Sequence, residues 1–231
     1  MSILLSGPNH APLSCGKPAW LIVLLHEHGS DGDHVIELAL DWAPNLLKAE
    51  FIAPQAPRGA GKNLRWFDAA EDGQPDVGSL DQSVAAVLDA ADAWLAERGL
   101  GAERLGLLGF GEGATVALRA GLSRRGIGAV VAVNGGWAGD VLAPPDGLTA
   151  DELPELLFVE TSIAAPAGTP DTASSADLLG AAGWPVQRQN SPGDWHGLDE
   201  AGIDAIARFL KGALTRPGPE GPDHDDHDHD H

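Results

Sequence analysis

Short apolar runs bounded by Gly and Pro alternate along this chain with longer stretches of helical periodicity. The apolar runs predict β-strands at 20–25, 51–53, 105–108, 129–133 and 156–159. Continuous apolar runs of this length are typical of strands that are buried on both faces. The pattern therefore predicts an α/β fold, in which a mostly parallel central sheet is flanked by helices.

Two segments between these runs have the apolar spacing of amphipathic helices. Over 80–97, apolar residues recur at intervals of three and four, which places them on one stripe. Ser79 and Gln82 form a capping box at its start, and Gly99 ends it. The segment 114–125 is rich in Ala and Leu and predicts a second helix directly after a strand.

The length and composition predict one domain with a tail. A chain of 231 residues with 43% hydrophobic residues can bury a full core. Residues 212–222 carry three Pro and three Gly, and residues 223–231, which follow them, contain no apolar residue. We predict an N-terminal extension over 1–18, a single α/β domain over 19–214 and a disordered Asp/His-rich tail over 215–231.

The charge and the N-terminus narrow the possible partners. A formal net charge of -20 argues against nucleic acid, which requires clustered Lys and Arg. No stretch has the length of a membrane span, and the N-terminus lacks the basic start and apolar core of a signal peptide. The single cysteine, Cys15, cannot form an internal disulfide, so we expect a cytoplasmic protein.

The segment Gly109-Phe110-Gly111-Glu112-Gly113 has the frame of a nucleophile elbow without its nucleophile. In a G-x-S-x-G elbow, a tight turn between strand and helix exposes a Ser hydroxyl to a catalytic His. The middle position here is Gly111, which has no side chain. The sequence therefore predicts the scaffold of an elbow without its chemistry.

Five segments in order resemble the phospholipase/carboxylesterase group of α/β-hydrolases, which includes the acyl-protein thioesterases. The resemblance runs from about residue 20 to residue 210. The matching segments are L-L-H-E-H-G-S-D-G at 24–32, F-I-A-P-Q-A-P at 51–57, R-W-F-D at 65–68, L-G-F-G-E-G-A at 108–114 and P-G-D-W-H-G-L at 192–198. The resemblance implies an α/β-hydrolase fold and carboxylic ester hydrolysis.

Carried over by position, the resemblance places the catalytic nucleophile at Gly111 and the catalytic histidine at His196. The ungapped alignment of 160–168 places the orienting aspartate at Ala164. Two of the three triad residues are thus replaced, and only His196 is retained. Asp171 is the nearest downstream acid that a shifted loop would offer in place of the missing aspartate.

The resemblance also implies an altered oxyanion hole. Glu27 stands where the family has Gly, and Glu112 stands where it has a neutral Gln. A carboxylate near a developing oxyanion raises the barrier of acyl transfer. The residues that we expect to line the oxyanion hole and cleft are Glu27, His28, Glu112, Trp66 and Trp195.

Histidines suggest two possible metal sites. His26 and His28 follow the strand 20–25 two residues apart, which predicts that they project to the same side, where with His196 and a carboxylate such as Glu112 they would suit a metal. The alternative is that His26 has a structural role, as the resemblance implies, and that His28 is simply exposed. The tail alternates Asp with His, a composition that binds Zn²⁺, Ni²⁺, Cu²⁺ or Co²⁺. Its imidazoles are His224, His227, His229 and His231. The alternative is an acidic tail that only increases solubility.

Three functions remain open on the sequence alone. The first is a carboxylesterase-like protein that has lost serine hydrolysis and retains a cleft for a small acyl ligand or a protein partner. The second is an active ester hydrolase that uses a bound metal or water activated by Glu112 and His196. The third is a metal-binding protein that acts through its tail. We expect no required cofactor, and the oligomeric state is not predicted.

Overall fold

A computed structural model describes residues 5–140, 143–149, 152–163, 168–193 and 197–216. Within these ranges the strands are β1 (Asn9–His10), β2 (Trp20–Leu25), β3 (Ala49–Ile52), β4 (Leu105–Phe110), β5 (Ala129–Val133), β6 (Glu155–Thr161) and β7 (Val186–Ser191). The α-helices are α1 (Gly32–Val35), α2 (Ala39–Trp42), α3 (Val77–Arg98), α4 (Glu112–Ser123), α5 (Thr172–Ala181) and α6 (Glu200–Leu214). The predicted α/β fold class is confirmed.

The described strands form a seven-stranded sheet in the order β1-β3-β2-β4-β5-β6-β7. Strand β1 is antiparallel to β3, and the other neighbouring strands are parallel. The chain order reverses between β2 and β4, where Leu25 pairs with Gly109 near the carboxyl ends of both strands. Open α/β sheets bind ligands at such a reversal, because the loops on the two sides diverge there.

Helices cover both faces of the sheet, which explains the continuous apolar runs. Alternate residues of the central strands enter one core with α3, α4 and α5, and the intervening residues enter a second core with α1, α2 and α6. In β2, Leu21 and Val23 belong to the first core, whereas Ile22 and Leu24 belong to the second. A strand buried on both faces needs no polar alternation.

The predicted capping box of the long helix is wrong. Helix α3 begins three residues before Leu80, and Asp76 is its N-cap because the carboxylate accepts the backbone N–H of Ser79. The hydrogen bonds from Ser79 lower the pKa of Asp76. Asp is as good an N-cap as Ser, so the capping position could not be chosen from residue type alone. Gly99 ends the helix, as predicted, with φ of 68°.

The two edge strands of the sheet, β1 and β7, were not among the strands predicted from apolar runs. Residues Asn9–His10 of the N-terminal extension pair with β3, and Leu5 is buried in the first core. The opposite edge is β7, whose sequence V-Q-R-Q-N-S has no apolar run to signal a strand. No described helix is both long and apolar enough to cross a membrane.

Candidate functional site

The elbow is a single glycine between a buried strand and a buried helix. Gly111 joins β4 to α4 with φ of 51° and ψ of -115°, a backbone conformation that residues with side chains rarely adopt. Its N–H donates to the carbonyl of Val133 at 2.9 Å, which fixes the turn against β5. The strained turn of a nucleophile elbow is therefore present at the position where the side chain is missing.

Packing alone requires glycine at the two flanking positions, Gly109 and Gly113, whether or not a nucleophile stands between them. A Cβ on Gly109 would lie 2.1 Å from the carbonyl oxygen of Gly113. A Cβ on Gly113 would lie 2.2 Å from the carbonyl oxygen of Leu25, because α4 passes close to β2. The G-x-G-x-G frame is thus maintained by the contact between helix and sheet.

Glu27 borders the position that a nucleophile side chain would occupy. A Cβ on Gly111 would lie 3.2 Å from the Cβ of Glu27, so even an alanine would require a small shift. The resemblance places a side chain at 111 and a glycine at 27, and this chain has the reverse. The two replacements are neighbours in space.

The side chains of His28 and Glu112 form a hydrogen-bonded pair at the mouth of β2 and β4. Nδ1 of His28 lies 2.9 Å from Oε1 of Glu112, with the two side chains 41% and 14% exposed. The other carboxylate oxygen, Oε2, accepts the backbone N–H of Trp66 at 3.0 Å. Both oxygens of Glu112 are therefore occupied, and the carboxylate is held in one orientation.

His26 is a buried residue bonded to the backbone, which agrees with the structural alternative and not with a role as a metal ligand. The backbone N–H of Ala56 donates to Nε2 at 3.1 Å, and Nδ1 lies 2.8 Å from the carbonyl of Glu27. Since Nε2 accepts, Nδ1 carries the proton and donates. Burial lowers the pKa of His26, and the carbonyl and carboxylate of Glu27 only partly oppose this shift. Neither ring nitrogen is available to a metal.

Trp66 supports the site from beneath and does not line it. Its indole is fully buried, and Nε1 donates to the carbonyl of His26 at 2.8 Å. The rings of Trp66 and His26 are tilted against each other with their centroids 5.3 Å apart. The prediction that Trp66 lines the cleft is therefore wrong for its side chain, although its backbone N–H contacts Glu112.

A cavity of about 240 Å³ opens beside the pair of His28 and Glu112. His28 and Glu112 contribute to one side of it. The remaining lining comes from two loops, and it consists of Phe67, Ala69, Gly73, Gln74, Pro75, Gly168 and Thr169. The site therefore combines a small, partly apolar cavity with one imidazole and one carboxylate.

Several predicted site residues lie outside the described residues. They are Ala164, Trp195, His196, His224, His227, His229 and His231. Asp171, the substitute considered for the missing aspartate, is the N-cap of α5 and accepts the N–H of Ser174. Hydrogen bonds from Ser174 lower the pKa of Asp171. Among the described residues, no three His, Cys, Asp or Glu side chains are grouped to hold a metal ion.

The sequence profile of the phospholipase/carboxylesterase family matches residues 14–211. The chain belongs to this family. The phospholipase/carboxylesterase match includes the loop after β2, the elbow and α5, and it leaves out the Asp/His-rich tail. No protein with a curated description matches the chain.

Several solved structures share the fold of this chain. Esterase PE8 is 26% identical, with a TM-score of 0.76, and the match covers 91% of this chain and all of that one. SOBER1 of Arabidopsis thaliana is 21% identical over 84% of this chain and 99% of its own, with a TM-score of 0.66. A phospholipase/carboxylesterase of Dyadobacter fermentans is 19% identical over 91% and 98%, also with a TM-score of 0.66. These matches support the α/β-hydrolase architecture.

Sequence reasoning missed the contact between His28 and Glu112 and the wall of the cavity. Both residues were predicted at the cleft, and their positions after neighbouring parallel strands were a usable signal for pairing. Phe67, Pro75 and Thr169 carried no such signal, because they lie on loops whose course no periodicity predicts.

Proposed function

We propose that this phospholipase/carboxylesterase-like protein has lost serine hydrolysis and retains a cleft for a small acyl ligand. The observation that carries the proposal is Gly111, which occupies the elbow between β4 and α4 without a side chain. Removing the nucleophile of a serine triad lowers turnover by about 10⁶. No acyl-enzyme can form at this position.

The charges around the elbow support the same conclusion. Glu27 borders Gly111, and the carboxylate of Glu112 lies at the N-terminus of α4. Enzymes of acyl transfer place hydrogen-bond donors where an oxyanion develops, because negative charge there must be stabilised. Two carboxylates in this region are unsuited to a serine-type tetrahedral intermediate.

The size and lining of the cavity favour a short ligand. At about 240 Å³ it is smaller than the roughly 300–1,000 Å³ of typical small-molecule sites. Phe67, Ala69 and Pro75 supply apolar surface for an acyl chain. The alternative occupant of the cavity mouth is a protein partner.

We propose a cytoplasmic location as well, which fits the single cysteine, Cys15, a free and exposed thiol.

The loss of serine hydrolysis is tested by covalent labelling. Wild-type protein is incubated with a fluorophosphonate probe and, separately, with p-nitrophenyl butyrate, and its intact mass is measured. We expect no adduct with either compound, and an active serine esterase run in parallel should be labelled. A stoichiometric adduct on any serine of the wild-type protein would disprove the proposal.

The ligand is tested with butyramide, an uncharged acyl compound that resists hydrolysis. Saturation-transfer NMR should detect its binding to wild-type protein and its loss in Ala69→Trp, because the indole fills the cavity. Ala70→Trp is the matched control, since Ala70 is a neighbouring exposed residue that is not part of the lining. Equal signals from the two variants would show that the ligand binds elsewhere.

We further propose that the Asp/His-rich tail binds a borderline divalent metal. Four His and five Asp alternate over residues 223–231, a composition that suits Ni²⁺, Zn²⁺, Cu²⁺ or Co²⁺. Removal of residues 217–231 should abolish Ni²⁺ binding measured by calorimetry and leave the melting temperature of the domain unchanged. Unchanged metal stoichiometry after the deletion would disprove the proposal.

A further inference from the structure

The hydrogen-bonded pair of His28 and Glu112 has the geometry of a catalytic carboxylate–imidazole pair. Nδ1 lies 2.9 Å from Oε1, so the carboxylate contacts one ring nitrogen. In serine triads the carboxylate holds the Nδ1–H tautomer in the same way, and Nε2 is left to accept a proton. Within the described parts of the chain, no group forms a hydrogen bond with Nε2 of His28.

The carboxylate is held firmly enough to orient the imidazole. Glu112 is the first residue of α4, a helix of 12 residues, and Oε2 accepts the N–H of Trp66 at 3.0 Å. The N-terminus of a helix favours negative charge. Trp66 is itself fully buried, so the support beneath Glu112 is rigid.

The pair lies where both water and a ligand can reach the imidazole of His28. His28 and Glu112 line the cavity of about 240 Å³, whose apolar surface comes from Phe67, Ala69 and Pro75. The side chain of His28 is 41% exposed, which leaves the ring open to solvent. The cavity therefore has room for a short acyl chain beside the imidazole of His28.

We propose that His28 is a general base, oriented by Glu112, which activates water for direct hydrolysis of short acyl esters. Nε2 of His28 removes a proton from water as the water oxygen bonds to the ester carbonyl carbon, and the carbonyl electron pair moves to oxygen. The tetrahedral intermediate then collapses, the bond to the alcohol oxygen breaks, and Nε2 returns the proton to that oxygen. The products are a carboxylic acid and an alcohol, and Glu112 remains ionised throughout.

This route goes beyond the proposed loss of serine hydrolysis and is compatible with it. It requires no side chain at Gly111 and forms no covalent intermediate, so the labelling experiment would still find no adduct. A positioned general base accelerates proton transfer by about 10²–10⁴. We therefore expect slow turnover of activated esters by the wild-type protein.

The test is the turnover of p-nitrophenyl butyrate by wild-type protein and three variants. His28→Ala should lower kcat by about 100-fold or more, to the level of general-base loss, and added imidazole should restore part of it. Glu112→Gln should lower kcat while KM stays unchanged, because Glu112 acts through His28. His34→Gln, at an exposed histidine on α1 outside the pair, should match the wild type.

Three results would overturn the inference. The first is wild-type turnover no faster than hydrolysis in buffer, and the second is turnover that survives His28→Ala. The third is a His28→Ala loss that imidazole does not rescue, since a structural role gives no rescue by a free base. Butyramide binding is measured on the same samples, so a protein that binds butyramide without hydrolysing the ester disproves the base and leaves the proposed cleft intact.

Discussion

His26 and His28 follow the same strand two residues apart and occupy opposite environments. His26 is fully buried, and backbone groups of Glu27 and Ala56 contact its two ring nitrogens. His28 is 41% exposed and bonds to a side chain, Glu112. The alternation rule predicts the same side for both, and it fails because β2 ends at Leu25 and a turn closed by Ser30 N–H and Glu27 C=O follows.

The two histidines therefore belong to different groups of residues, one that supports the fold and one that lines the candidate site. His26 and Trp66, the inner pair, bond to backbone and pack in the core. His28 and Glu112, the outer pair, line a cavity. If this division is right, changes in the inner pair lower stability and changes in the outer pair alter binding or turnover at little cost in stability.

The largest effect is expected for Trp66→Ala. Truncating a fully buried Trp costs about 3–5 kcal/mol, which lowers the melting temperature by about 10 °C in a domain of this size. Thermal unfolding followed by circular dichroism measures it. Trp94→Ala is the control, because Trp94 is only partly buried against the same core. A loss no larger than that of the control would contradict the assignment of Trp66 to the inner pair.

His26→Ala should have the next largest effect. It leaves the buried N–H of Ala56 without its imidazole acceptor, at a cost of about 1–3 kcal/mol, whereas the carbonyl of Glu27 still accepts the N–H of Ser30. Urea unfolding at pH 7.5 measures the free energy of unfolding. A variant as stable as the wild type would show that the inner histidine has no structural role.

The pH dependence of the unfolding free energy tests whether the imidazole of His26 itself stabilises the fold. Because burial lowers the pKa of His26 from 6.5, the unfolded chain takes up a proton at a pH where the folded chain does not. The contribution of His26 is therefore full above about 6.5 and is lost as pH falls from there towards the folded pKa. Between pH 7.5 and 5.5 the wild type should lose more stability than His26→Ala; equal slopes would contradict this assignment.

The central strands could be predicted from the sequence, and the edges of the sheet could not. The run at 20–25 is β2 as predicted, because a strand buried on both faces must be apolar throughout. Strand β7 lies at the edge, so its polar residues face solvent and give no apolar signal. The start of α3 was missed because Asp76 and Ser79 are equally good N-caps.

Residues of the candidate site were predicted individually, but their contacts with one another were not. Gly111, Glu112 and His28 follow neighbouring parallel strands, so the order of the strands brings them together. Which histidine is buried depends on the turn at Glu27, and a turn is not encoded by periodicity. The cavity depends on loops from distant parts of the chain, which only the tertiary structure combines.

Gly111→Ala tests whether the elbow itself is strained. A side chain at φ of 51° and ψ of -115° costs about 1–3 kcal/mol, and its Cβ would also lie 3.2 Å from the Cβ of Glu27. Adding Glu27→Gly should recover part of the cost, because it removes that contact. A double-mutant cycle of urea unfolding measures the coupling, and additive effects would show that the two replacements are independent.

The smallest effect is expected for His28→Gln, and it defines the boundary between the two pairs. Even a fully charged side-chain pair at an exposed site contributes only about 0–1 kcal/mol, since solvent weakens the contact and both side chains lose freedom. Urea unfolding at pH 7.5 should therefore give a free energy within about 0.5 kcal/mol of the wild type. A loss as large as that of His26→Ala would make the outer pair structural as well. A small loss would mean that any fall in turnover at His28 reflects chemistry, since the protein remains folded.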